Sequence, residues 1–255
     1  MKKTIILGAT SGMGKALALK LAGENYSVGI TGRREGLLHE LAARHPDKFI
    51  PMVIDISDPF TPSKLEQMVQ VMGGLDLLIL AAGIGIPYEP LNSSVTQQII
   101  RTNVMGFTLV IDWAVDYFLK KGSGHLVSFS SIAGIRGCGI DPAYCASNAF
   151  KMNYLEGVRQ LIDKTNHSVH LTDIRPGFIE KPDTKIENRF WIYSMDKATE
   201  QIYRSILDKK RVVYISRRWG AVATMMNMIP GNIYSRLMSP YIKPNGYGKK
   251  KVVSQ

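Results

Sequence analysis

Short apolar runs rich in β-branched residues alternate along this chain with longer segments of helical period, and the alternation predicts parallel strands joined by crossover helices. The runs Thr4–Leu7, Ser27–Thr31, Phe49–Ile54, Leu75–Leu80, His125–Phe129, Ser168–Ile174 and Arg211–Ile215 read as strands. Between them, Gly14–Gly23, Glu35–Arg44, Ser63–Met72, Val95–Lys120, Pro142–Thr165 and Lys197–Leu207 read as helices. An order of this kind makes an α/β doubly wound sheet of about seven strands with helices on both faces. Ligands of such sheets sit at the carboxyl ends of the strands.

With 255 residues and 45% hydrophobic content the chain can bury a large core, and no linker, repeat or low-complexity tract divides it, so residues 1–255 read as one domain. The opening MKKTIILGATSG has lysines before an apolar run, but Thr4–Leu7 is far shorter than the ~7 to 15 residues of a secretory core. A buried first strand and a cytoplasmic protein are expected. The net charge of +11 favours anionic partners. Part of the excess lies at Lys209–Arg211, Arg217, Arg218 and Lys249–Lys251, without a nucleic-acid motif, so no nucleic-acid partner is expected. Cys138 and Cys145 form neither a disulfide framework nor a metal cluster, and no metal is expected.

The first strand runs into GATSGMG and then a helical stretch. Glycines at 8, 12 and 14 suit a sharp turn, close approach of backbone to a pyrophosphate and tight packing of helix on strand. Gly8, Thr10, Ser11, Gly12, Met13 and Gly14 are therefore candidate cofactor contacts, with the free N–H groups and dipole of the following helix facing phosphate. Taken alone, an ordinary tight turn would look the same. The second strand ends in ITGRRE, where the ribose of a dinucleotide arrives. Arg33 and Arg34 suit a 2′-phosphate and no acid precedes Glu35, so NADP(H) is favoured over NAD(H). Both arginines also fit a solvated start to a helix.

Together with YCASN at Tyr144–Asn148, this order of elements resembles the short-chain dehydrogenase/reductase family over roughly residues 3 to 215, and implies its Rossmann-type fold. Asp55, with Ile56 beside it, is similar to the family's acid at the adenine ring. The LLILAAG turn, with Ala82 and Gly83, is similar to its Asn-Asn-Ala-Gly turn, although Leu80 and Ala81 replace both asparagines. Asn103 resembles the helix asparagine that holds a relay water. Ser131, thirteen positions before Tyr144, resembles the serine that steadies the substrate oxygen, and Tyr144 the acid/base. Pro176, Gly177 and Ile179 resemble the turn bordering the nicotinamide. The resemblance implies hydride transfer between NADP(H) and a carbonyl or secondary alcohol.

Where the family has Tyr-x-x-x-Lys, this chain has Asn148, one helical turn beyond Tyr144 on the same face. An amide can still bond ribose hydroxyls, but it carries no charge. A cation ~4.5 Å away would be worth ~3 to 4 kcal/mol to a tyrosinate at an effective dielectric of ~20. Its loss is expected to slow turnover by ~10² to 10³. Lys151, seven residues after Tyr144, lies ~10.5 Å along the axis, too far for the same work, and reads as a solvated or buried-stem lysine. Arg136 and Arg175 are the freer candidates. The alternative function is a weak or inactive cofactor-binding protein, acting as redox sensor or interaction partner.

Residues of about 180–195 fall where the family places a substrate lid, and Phe190, Trp191 and Tyr193 suit either a bulky apolar substrate or helix packing on the core. The apolar and basic extension of about 216–255 suits a packed cover or oligomer contact better than peripheral membrane attachment. A homodimer or homotetramer is expected.

Overall fold

The β-branched runs do form strands, and their order places the carboxyl ends of the central ones side by side. The structure, a computed structural model, describes residues 1–85, 92–180 and 192–241. Seven parallel strands pair in the order β3-β2-β1-β4-β5-β6-β7. They are β1 (Lys2–Leu7), β2 (Tyr26–Gly32), β3 (Phe49–Val53), β4 (Leu77–Leu80), β5 (Ser123–Phe129), β6 (Ser168–Pro176) and β7 (Val212–Ile215). Strand order, not direction, reverses between β1 and β4, which opens a crevice at their carboxyl ends.

The helices are α1 (Gly12–Gly23), α2 (Glu35–Ala42), α3 (Thr61–Met72), α4 (Ser93–Ile100), α5 (Phe107–Lys121), α6 (Pro142–Asp163), α7 (Met195–Leu207), α8 (Arg218–Met228) and α9 (Gly231–Met238). Side chains alternate across each strand, so the sheet has a core on either face. Ile6, Ile30 and Ile79 join Leu17, Leu21, Leu38 and Ile202 on one side. Ile5, Leu7, Leu78 and Leu80 join Leu65, Phe107, Phe118 and Leu155 on the other. Phe107 and Phe118 are among the largest fully buried side chains, and truncating either would cost about 3 to 5 kcal/mol. No described helix is long and apolar enough to cross a membrane.

Two departures from the periodicity matter for the site. The predicted helix Val95–Lys120 is broken by a π-helical turn over Arg101–Gly106. Within the extension, α8 and α9 are separated at Ile229 and Pro230 because proline lacks the N–H to continue a helix, and residues 242–255 lie outside the described residues.

Candidate active site

The glycine loop leaves β1 at Gly8, whose φ of 92° is open to glycine. A Cβ there would lie 2.7 Å from Ala82 N, and one on Gly14 would lie 2.2 Å from the Gly8 carbonyl oxygen. The loop is thus pressed between the start of α1 and the turn after β4. Gly12 also has positive φ. Met13 packs against the core below. The first turn of α1 holds no acid, and the Ser11 side chain does not cap it. That hydroxyl instead accepts a hydrogen bond from Arg34 Nη2 at 2.9 Å, and Thr10 Oγ1 accepts from the same nitrogen at 2.7 Å. Arg33, 58% exposed, reaches to 3.9 Å from Asp55 Oδ2. Asp55 is aimed by its own turn, accepting from Ser57 N and Oγ, and Ile56 beside it is buried.

Across the crevice, Ser131 follows β5 and caps a 3₁₀ turn by accepting from Ala133 N at 3.2 Å. That turn presses on α6: a Cβ on Gly134 would sit 2.6 Å from the Asn148 carbonyl carbon. Asp141 caps α6 by accepting from Tyr144 N, and Pro142 stands in the first turn, so Tyr144 is held in the first turn of a 22-residue helix. Burial pushes the Tyr144 phenol above its ordinary value, while hydrogen bonds from Ser131 and Asn148 pull it down. Ser131 and Asn148 thus stand near enough to Tyr144 to act on its phenol. Asn148, almost wholly buried, also donates to the Tyr144 carbonyl at 2.9 Å.

The π turn accounts for Asn103. An extra residue in one turn of helix rotates the side chains around it and frees backbone groups. Asn103, fully buried, uses both ends of its amide on Ile84, accepting from its N–H at 2.8 Å and donating to its carbonyl at 2.7 Å. It also donates to Ser147 Oγ, which donates to the Tyr144 carbonyl. The strip Gly83–Gly85 is therefore clamped against α6, and a Cβ on Gly85 would lie 2.9 Å from the Tyr144 ring. On the opposite wall, Ser131 Oγ lies 3.4 Å from the Pro176 carbonyl. Trp219 of α8 covers Gly177 and meets Phe178 edge-on. Ile179 pairs with Tyr193, bringing together the ends of the segment expected as a lid. Phe190 and Trp191 of that segment lie outside the described residues.

A model of the short chain dehydrogenase family matches residues 2–191. The chain belongs to that family. An uncharacterized oxidoreductase of Mycobacterium tuberculosis is 32% identical over 192 residues, which cover 72% of this chain and 75% of that one. A probable NADP-dependent dehydrogenase of Haemophilus influenzae is 28% identical over 213 residues, 81% and 82% of the two chains. Among solved structures, a short-chain dehydrogenase from Sphingobium yanoikuyae in complex with NADPH superposes with a TM-score of 0.76 at 18% identity, covering 91% of this chain and 97% of that one. That likeness establishes the fold, a seven-stranded Rossmann-type sheet.

For a short-chain dehydrogenase with asparagine at 148, the location of its cations is decisive, and here the structure corrects the sequence reading. Arg136 donates to the Met226 and Ile229 carbonyls at 2.9 and 2.7 Å and stacks on Tyr234, so it anchors the joint between α8 and α9. Arg175 pairs with buried Asp173 at 2.6 Å and bonds the Tyr214 hydroxyl, while Ser130 donates to the other Asp173 oxygen. Neither arginine is free for Tyr144. Lys151, expected to keep its ammonium in water, is only 3% exposed. Sequence reasoning also passed over Asp141, although Asp-Pro before a helical period is a cap signal. It missed Ser147 and Gly85, which no local pattern marks.

Proposed function

We propose that this protein is an NADP(H)-dependent oxidoreductase that interconverts a carbonyl compound, bulky or apolar, and its secondary alcohol. The observation that carries the reading is the placement of Ser131 and Asn148 beside Tyr144, where each lowers the proton affinity of its buried phenol. The residues fit the cofactor: Gly12 of the Gly8–Gly14 loop faces open space, and the first turn of α1 holds no repelling acid. Arg34 and Arg33 stand at the edge where a 2′-phosphate would lie, and guanidinium suits phosphate. Asp55, Ile56, Ala82, Gly83, Pro176, Gly177 and Ile179 line the rest of that crevice, and Asn148 has the amide chemistry to hold ribose hydroxyls.

When bound, the nicotinamide supplies or accepts the hydride. Ser131 donates a hydrogen bond to the substrate oxygen, where negative charge develops. Tyr144 gives its phenolic proton to that oxygen in reduction and takes it back in oxidation. Asn103 holds the Gly83–Gly85 strip, so the floor beneath Tyr144 does not shift. Phe178 and Trp219 beside Gly177 supply an apolar wall, which supports a bulky apolar substrate. An apolar groove between α4 and α6, lined by Thr96, Ile100, Val104 and Ala146, supports assembly as a homodimer or homotetramer.

Purified protein, assayed with NADPH, NADH and their oxidised forms against a panel of aldehydes, ketones and alcohols, tests the reading. Turnover with preference for NADPH is expected. Tight NADPH binding with no turnover would replace the oxidoreductase by a cofactor-binding sensor.

A further inference from the structure

Lys151 is a buried amine that nothing in the reaction as described employs. It leaves α6 one turn below Asn148 and turns inward, its Nζ 3.4 Å from the Phe129 carbonyl and 5.5 Å from the centre of the Phe107 ring. A Cβ on Gly83 would lie 3.3 Å from that Nζ and 3.4 Å from Asn103 Oδ1. The lysine therefore stands under one end of the Gly83–Gly85 strip, and the Tyr144 ring stands against the other. Two residues of chain span at most about 7 Å. A buried ammonium with a single long bond to a carbonyl is costly to the fold, and groups kept at such a cost cluster at functional sites.

The charged and titratable groups around it are few. Asp173 of β6 favours its protonated form, but that carboxylate is engaged with Arg175 and Ser130. Next to Phe107, Tyr154 is bonded to Asp112. On its own helix lie Tyr144 and the thiol Cys145, which burial pushes up to about 11. We propose that Lys151 is the positioning cation of this active site, supplying from beneath Gly83–Gly85 the positive charge that favours proton transfer at Tyr144. The inference rests on the reading of Tyr144 as acid/base. It makes Asn148 and Lys151 a pair in which placement and charge, joined elsewhere in one lysine, are divided between two residues on successive turns. Taken at a separation of roughly 7 to 10 Å and an effective dielectric of about 20, such a charge changes the proton affinity of a phenol by roughly 15- to 50-fold.

Burial lowers the Lys151 pKa to about 8, against the pull of Asp173, so the charge is present at neutral pH and lost above it. Three proteins decide the matter: wild type, Lys151→Met, and the double variant Asn148→Lys/Lys151→Met, which returns the charge one turn nearer. With NADPH and a carbonyl substrate found in the panel, wild-type turnover should fall as pH rises through about 8. Lys151→Met should be roughly 15- to 50-fold slower at pH 7 and flat across that range, and the double variant should recover most of the loss. Without cofactor, lysine-selective NMR should show one amine titrating near 8 that is missing from Lys151→Met. Folding is checked by circular dichroism, with Lys151→Gln carried through the same assays should the methionine not fold.

A folded Lys151→Met with wild-type turnover and pH profile, or a double variant no faster than the single one, overturns the proposal. So does a wild-type turnover that falls through pH 8 while the Lys151 amine titrates at the ordinary 10.5. A wild type that turns over nothing instead brings down the oxidoreductase reading, and this inference with it.

Discussion

Asn148 donates its side-chain amide to the main-chain carbonyl of Tyr144 at 2.9 Å, one helical turn back, and both residues are held in the wall of the crevice. An uncharged residue thus sits where a cation would otherwise act on the phenol. Its amide spends one donor on its own helix, beside the phenol on which it also acts, and keeps its carbonyl oxygen for other partners. Position 148 is built to hold and orient, and the charge has to come from elsewhere.

Tyr144→Phe removes the proton donor while leaving the ring against Gly85. Turnover should drop by about 10² to 10⁴, the range for loss of a positioned acid/base. NADPH affinity, read by fluorescence titration, should change by less than ~3-fold, because the phenol is not the main holder of the cofactor.

Replacing the two arginines separates NADPH from NADH. Arg34→Ala also removes the bonds to Thr10 and Ser11, whereas Arg33→Ala removes a more exposed guanidinium beside Asp55. Each should weaken NADPH binding by about 10- to 100-fold, the cost of a lost charge-assisted bond to phosphate. NADH binding should barely move for Arg33→Ala. Equal loss for both cofactors would show that the arginines do not read the 2′-phosphate.

His125 gives an acid limb to stability. Its ring is buried in β5, and the Thr172 hydroxyl gives its own proton to the Lys210 carbonyl, so the neutral ring carries its proton on Nε2 and donates to Thr172 at 2.8 Å. Burial, with help from the charges of His170, Lys209 and Lys2, lowers its pKa from 6.5 to about 4. Between those values the unfolded chain binds the proton and the folded one does not, so stability falls as pH falls. The loss is about 3 kcal/mol. Urea denaturation of wild type and His125→Gln at pH 7 and pH 4 should show this difference only in the wild type.

Lys151 produces the alkaline counterpart. Its pKa is lowered from 10.5 to about 8, so between these values the unfolded state holds the extra proton and stability rises with pH. Relative to Lys151→Met, the wild type should gain about 3 kcal/mol from pH 8 to 10.5. At pH 7 the methionine variant should be the more stable one, since it buries no charge.

Much of the fold was legible because both faces of the sheet are covered. Buried parallel strands must be continuous apolar runs, and each of the seven runs, such as Ile5–Leu7 and Leu77–Leu80, became a strand. The π turn at Arg101–Gly106 was not legible, since one inserted residue barely disturbs the apolar period of the two helices flanking it. Asn103 was named as a site residue without any means of knowing that its amide would clamp Ile84.

Element order and the glycine loop follow from local rules, hydrophobic period and turn chemistry, whereas the choice of Ser131 and Tyr144 came from the resemblance to the family. The location of the positive charges follows none of these. Lysine and arginine side chains reach several ångströms from their own backbone, and which way they turn depends on the neighbours that other elements bring. Arg136 and Arg175 were taken up by α8, α9 and β6, while Lys151 was turned inward under Gly83. Packing between helices and strands distant in the chain settled that choice, because the energy of a buried charge depends on everything within its field and not on its own segment alone.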